Sequence, residues 1–252
     1  MVIESGGFVD WMAGLEQRHL ADLTQSEVAR ALRALSSCYV ERRTKLASGG
    51  ALDGAGKRAA FALFYGPQHF LLTREIVRAI PLTTVSEILD LGCGTGAAGA
   101  AWAIEAGAAR VTGIDRHPWA VTEANRTYRE LGLAGRAVQG DAGHVRLPVS
   151  SVAGVIAAYT VNELSDDTRA VLLPRLLDVH ASGTRVLVIE PIARRIATWW
   201  TAWQREFEAS GGLASEWRFS VPLPSLSQRL GRAAGLDPRE LTARTLWLGG
   251  SQ

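Results

Sequence analysis

The spacing of apolar positions changes along the chain near residue 85. Before it, apolar residues recur at helical intervals. Between Leu23 and Leu46, Val28, Leu32, Leu35 and Val40 share one face, with Thr24 or Ser26 placed to cap the start. Gly49 to Gly56 is a glycine-rich break, punctuated by Gly49, Gly50 and Gly54. Lys57 to Tyr65 reads as a helix, Pro67 opens another as an N1 proline running through Ile80, and Pro81 stops it. Residues 1–82 are therefore expected to form a helical cap in front of a second unit over 83–252.

From residue 86 short apolar runs alternate with amphipathic stretches. Strands are expected near 86–91, 110–115, 135–140, 152–159, 183–190, 216–221 and 242–248, and helices near 97–107, 117–132, 166–179, 194–210 and 224–235. Such alternation predicts an α/β fold: a doubly wound, seven-stranded, mainly parallel sheet with helices on both faces and an N-terminal helical extension. A ligand then belongs outside the C-terminal ends of the strands, at the switch point beside the first. The link from 141 to 151 leaves room for no more than a rudimentary helix.

The first of these units carries the chemistry. Ile88, Leu89 and Leu91 form an apolar strand with Asp90 near its end, running into Gly92, Gly94 and Gly96 and then an alanine-rich helix from Ala97. A strand, a glycine turn and a helix N-terminus make a cradle in which backbone N–H groups approach a ligand that a Cβ would repel. A pyrophosphate would meet the carboxylate of Asp90 there, whereas a ligand carrying an ammonium and a sulfonium would be favoured by it. S-adenosylmethionine has both charges, and its carboxylate suits the helix N-terminus. The same residues also contain Gly94-x-Gly96-x-x-Gly99 with Asp115 downstream, the pattern of a dinucleotide site. A nicotinamide oxidoreductase is thus the competing reading, although Gly92 and Asp90 do not fit it.

Asp90-Leu-Gly92-Cys93-Gly94-Thr95-Gly96 resembles the first motif of the class I S-adenosylmethionine-dependent methyltransferases, whose fold is Rossmann-like. The resemblance extends over roughly residues 84 to 250. It implies that Val111 to Asp115 is the second strand, ending in the acid that holds the ribose hydroxyls, with Arg116 beside it. It also implies that Ala137 to Asp141 brings Asp141 and its neighbour Ala142 to the adenine, and that Val152 to Tyr159 is a strand bordering the transferred methyl. The cofactor residues it implies are Asp90, Gly92, Cys93, Gly94, Thr95, Gly96, Asp115, Arg116, Asp141 and Ala142. Tyr159, Asn162 and Glu163, following the fourth strand, are the catalytic candidates. Asn162 could orient an amine or a base edge, and Glu163 could take a proton; equally, Asn162 or Ser165 could cap the helix that starts near Asp166. The Asn/Asp-Pro-Pro-Tyr/Phe signature of adenine and glutamine enzymes is missing, as is the Pro-Cys pair of cytosine C5 enzymes.

Ala157 to Leu164, Val188-Ile-Glu190-Pro191 and Leu226 to Arg229 also resemble segments of the small-ribosomal-subunit-associated methyltransferase-like family. That implies ribosomal RNA or the small subunit as partner, with a non-catalytic assembly role as the alternative to turnover. This chain lacks that family's cysteine cluster. A small-molecule acceptor fits equally well.

Composition adds limits. Of 252 residues 47% are apolar, enough for a full core, and 27 basic against 25 acidic residues leave a net charge of +2 that favours no particular partner. Cys38, expected to fill a helix face, and Cys93 have no metal-ligand spacing, so no metal site is expected. No apolar run reaches about 18 residues, and Met1 to Gly7 lacks a basic-then-apolar pattern, so a cytoplasmic protein without membrane span or signal peptide is expected. Glu190 is placed either to line the site or to pair with Arg194 or Arg195. Trp199, Trp200 and Trp203 form an aromatic stripe suited to packing or to stacking on a planar substrate. Tyr65 and His69 are candidates to reach over the cofactor.

Overall fold

The computed structural model describes residues 6–41, 52–81, 84–192, 197–236 and 239–249, without the side chains of 38–41. The Cys38 side chain and the Arg194 and Arg195 alternative for Glu190 lie outside what is described.

Seven strands form one sheet: β1 (Glu87–Leu91), β2 (Arg110–Asp115), β3 (Gly135–Gln139), β4 (Ala153–Ala158), β5 (Arg185–Glu190), β6 (Leu213–Phe219) and β7 (Leu241–Leu248), in the order β3-β2-β1-β4-β5-β7-β6. β1 to β5 pair in parallel, and β7 runs antiparallel between β5 and β6. β4 is buried at every position and β5 at all but its first, as strands covered on both faces require. The chain leaves β1 toward β2 but returns to its other side as β4, so the switch point lies between β1 and β4. β6 begins three residues before the expected start, because Leu213 to Ser215 already pair with β7.

One face packs against α5 (Ala97–Ala106), α6 (Pro118–Glu130) and α9 (Ser225–Ala234), the other against α7 (Asp166–Ala181) and α8 (Trp200–Ala209). The free edge of β3 is closed by a side chain. Asn125 donates its amide to the carbonyl of Ala137 and accepts the N–H of the same residue, both at 3.0 Å, in place of a neighbouring strand.

The N-terminal helices share the core of the first face. α1 (Gly6–His19) buries Phe8, Trp11 and Leu15. It is fastened to α6 by Arg18, which reaches Glu123 at 2.8 Å and also pairs with Glu130, and by the Trp11 indole donating to Thr127 at 3.2 Å. Glu123 is fully buried, and despite that burial its hydrogen bonds and charge contacts with His19 and Arg18 pull its pKa down to about 2. α2 (Gln25–Glu41) starts with a capping box: Thr24 Oγ1 accepts the N–H of Glu27, whose carboxylate accepts the N–H of Thr24 at 2.8 Å.

The next segment differs from expectation. Lys57 to Tyr65 and Pro67 to Ile80 are not two helices but one continuous run: α3 (Ala55–Ala60), a π turn (Phe61–Tyr65) and α4 (Gly66–Ala79). Pro67 has no N–H to bond the carbonyl of Leu63, four residues earlier, which normally breaks a helix. Two adjustments resolve this. The N–H of Gly66 bonds Phe61, five residues back, and the buried hydroxyl of Ser227 on α9 donates to the Leu63 carbonyl at 2.7 Å. Insertions of this type often mark functional positions, and this one turns Phe61, Tyr65 and His69 toward the end of the sheet where β1 and β4 finish.

Candidate functional site

The turn after β1 is built from left-handed glycines. Gly92, Gly94 and Gly96 have φ of 65°, 53° and 76°. A Cβ on Gly92 would stand 2.4 Å from Thr160 Oγ1, and one on Gly96 2.8 Å from the Tyr128 ring. Neither a side chain nor another backbone path fits. Thr160 locks the turn to the end of β4, its hydroxyl donating to the carbonyl of Leu91 at 2.8 Å.

Asp115, at the C-terminal end of β2, holds the turn from the other side. One carboxylate oxygen accepts the N–H of Gly94 at 2.9 Å and the other that of His117 at 2.8 Å. Each keeps lone-pair capacity for a further donor, as a ribose diol would require. Asp90 lies beneath the turn. It is 1% exposed, with Oδ2 accepting the N–H of Gly99 in the first turn of α5 at 3.0 Å, and Oδ1 is a buried oxygen without a hydrogen-bond partner. Burial, with the nearby charge of Asp115, raises its pKa to about 7 although the Gly99 bond opposes this.

The remaining cofactor candidates play smaller parts. The N–H of Cys93 bonds Ile114 and its carbonyl accepts from Gly96, while its thiol is buried near Gly113 and pushed up in pKa by that burial. Thr95 is buried, its hydroxyl 3.2 Å from where a Cβ on Gly66 would stand, which ties the turn to the cap helix. Arg116 is exposed and offers its carbonyl to Gln139. Asp141 lies in a turn, one oxygen accepting the N–H of Gly143 at 2.8 Å, beside the buried Ala142.

The three catalytic candidates follow β4. Tyr159 is half-buried at φ 60°, in the region non-glycine residues avoid; it is the only such residue among those described. Asn162 has its amide engaged on both sides: Nδ2 donates to Glu190 at 2.5 Å and Oδ1 accepts from the Trp199 indole at 2.9 Å. Glu190 is fully buried and also accepts the Asn162 N–H at 3.0 Å; burial pushes its pKa up to about 8. Ser165, not Asn162, caps α7 by accepting the N–H of Thr168. Glu163 is half-buried in the short helical turn before it. Trp199, Trp200 and Trp203 are buried against one another, so the stripe is core packing under β5 and β7 and offers no open face for a substrate.

Opposite β4 stand the rings of the cap helix. His69 stacks on Tyr159 with centroids 4.0 Å apart and planes within 14°. Phe61 meets His69 edge-on at 6.0 Å and Tyr65 at 5.9 Å, and its rim lies 3.4 Å from where a Cβ on Gly94 would be. Burial lowers the pKa of His69 to about 3, so the imidazole is neutral. Phe61 was not among the sequence candidates, though Phe61, Tyr65 and His69 repeat every four residues, which is the spacing of one helical stripe.

Residues 88–183 match the family model described as "Methyltransferase domain". Over these residues the chain is similar to methyltransferase domains. Similar solved structures include a SAM-dependent methyltransferase from Aquifex aeolicus (16% identity, 72% of this chain and 91% of that one, TM-score 0.46). The YcgJ protein from Bacillus subtilis is also similar (14% identity, 72% and 100%, TM-score 0.46). A third is the C-terminal domain of precorrin-6Y C5,15-methyltransferase from Rhodobacter capsulatus (18% identity, 72% and 89%, TM-score 0.46). No curated protein matches the chain.

The residues present fit S-adenosylmethionine, the methyl donor that the sequence motif implies. Side chains on Gly92 and Gly96 would collide with Thr160 and Tyr128 and displace the turn, a carboxylate with free lone pairs stands at the end of β2, and a buried carboxyl lies under the turn. An acid at the place of Asp115 suits the ribose of either ligand, whereas the carboxyl of Asp90 under the turn opposes a pyrophosphate. Among the described residues no group of three or more His, Cys, Asp or Glu could hold a metal, and no helix is long and apolar enough to cross a membrane.

Proposed function

We propose that the chain transfers a methyl group from S-adenosylmethionine to a small acceptor enclosed between the end of β4 and the aromatic stripe of the cap helix. The observation that carries this reading is the stack of His69 on Tyr159, which sets the cap helix against the end of β4 beside the cradle. When bound, the donor supplies a sulfonium-activated methyl group with a good leaving group. The protein's own task is then alignment and exclusion of water. The Glu190–Asn162–Trp199 chain fixes the loop after β4, Thr160 fixes that loop to the cradle, and the neutral imidazole of His69 is available to accept a hydrogen bond from the acceptor.

A ribosomal RNA acceptor is the second reading. It is favoured by a cleft of about 930 Å³ lined by Arg110, Arg129 and Arg136, of which Arg110 pairs with Glu87 at 3.1 Å. Those residues lie at the N-terminal ends of β2 and β3 and the end of α6, away from the glycine turn at the strands' other ends. The test is incubation with methyl-labelled donor and either a small-metabolite extract or purified small-subunit RNA. Label in the metabolite fraction supports the small acceptor, and label in RNA overturns it. Donor binding with no label in either moves the protein to a non-catalytic role.

A further inference from the structure

The row of rings on the cap helix has a chemistry that packing alone does not require. Phe61 stands beside Gly94, whose N–H is held by Asp115, and the row continues through His69 to Tyr159 at the end of β4. It therefore crosses the mouth of the cradle from the ribose carboxylate to the catalytic candidates. Tyr65, His69 and Tyr159 are each only partly buried, while Phe61 is buried. Two features go beyond what the helix needs to accommodate Pro67: a tyrosine held at φ 60° and a histidine stacked on it. A neutral imidazole leaves the row without positive charge, and the acids Asp90 and Asp115 lie close to one end. Aromatic faces without competing cations are what a desolvated organic cation prefers.

We propose that Phe61, Tyr65, His69 and Tyr159 form an aromatic cage that recognises the positive sulfonium of the methyl donor. This rests on the methyltransferase reading and deepens it: the N-terminal helices supply part of the donor site, and the cage distinguishes the charged donor from its neutral product. Loss of the charge on methyl transfer removes the attraction and favours release of S-adenosylhomocysteine.

The test needs no acceptor. The full chain is titrated calorimetrically with S-adenosylmethionine, with sinefungin, which carries an ammonium in place of the methylsulfonium, and with neutral S-adenosylhomocysteine. Wild type is compared with Tyr159→Leu, Phe61→Leu and Tyr159→Phe, each checked for a cooperative thermal transition. Tyr159→Leu should weaken both cationic ligands about 5- to 20-fold, the range expected of a desolvated cation–π contact. It should change S-adenosylhomocysteine by less than about 2-fold, and Tyr159→Phe should keep wild-type selectivity because the ring face, not the hydroxyl, carries the interaction. Phe61→Leu gives the same comparison should Tyr159→Leu fail to fold. Equal weakening of all three ligands, or no weakening, overturns the cage. Wild type that binds none of the three overturns the donor reading itself, before any variant is compared.

Discussion

Asp115 accepts the N–H of Gly94 at 2.9 Å, so the acid at the end of β2 and the glycine turn after β1 are fixed to one another across the sheet. The carboxylate thus holds the cradle in shape while keeping lone pairs for a ligand. Asp115→Ala should weaken S-adenosylmethionine by about 10- to 100-fold, the loss of one to two charge-assisted hydrogen bonds. Titration calorimetry measures this, and unchanged affinity would remove Asp115 from the ribose role.

The Asn162–Glu190 pair yields a second prediction. Asn162→Ala removes one of the two bonds to a buried carboxyl and should cost about 1–3 kcal/mol of stability by chemical denaturation. The backbone N–H of residue 162 still reaches Glu190, so donor binding should persist. Loss of donor binding in a folded variant would show that the loop after β4 is part of the cradle itself.

Glu190 and Asp90 also set a pH dependence. Their folded pKa values, about 8 and about 7, lie above the ordinary carboxylate range, so the native state binds more protons than the unfolded chain from about pH 4 to 8. Stability from these groups is therefore greatest at the acid end of that window and falls as pH rises through it. Glu190→Gln should flatten the decline, seen as a smaller drop in Tm between pH 5.5 and 8.5 than wild type shows. A wild-type Tm that rises across that interval would contradict the assignment.

Glu123 acts with the opposite sign. Its folded pKa of about 2 lies below the ordinary value, so the stability it gives α1 is fully present above about pH 4.5 and is lost as pH falls toward 2. Glu123→Ala at neutral pH leaves Arg18 one partner short and a void between α6 and α1. A cost of about 3 kcal/mol follows, at the low end for a buried pair because Arg18 is partly exposed. Denaturant titration reads this directly.

Much of the fold was legible because the signals were local. The alternation after residue 86 gave seven strands near their observed places, and Asp90 to Gly96 announced the cradle, because only glycine suits the backbone there. What stayed hidden depended on partners distant in sequence. Pro67 reads as a helix start until Ser227, 160 residues later, is seen to satisfy the Leu63 carbonyl. Asn162 reads as a free amide until Glu190 and Trp199 are found on either side of it. Phe61 gives no local sign that the π turn sets its ring beside Gly94.

The most direct test of the central claim is calorimetric titration of the purified chain with S-adenosylmethionine and S-adenosylhomocysteine, with NADH as control. The structure predicts saturable one-site binding of the first two and none of NADH, because Asp90 under the turn opposes a pyrophosphate. Binding of NADH in preference to both would contradict the account.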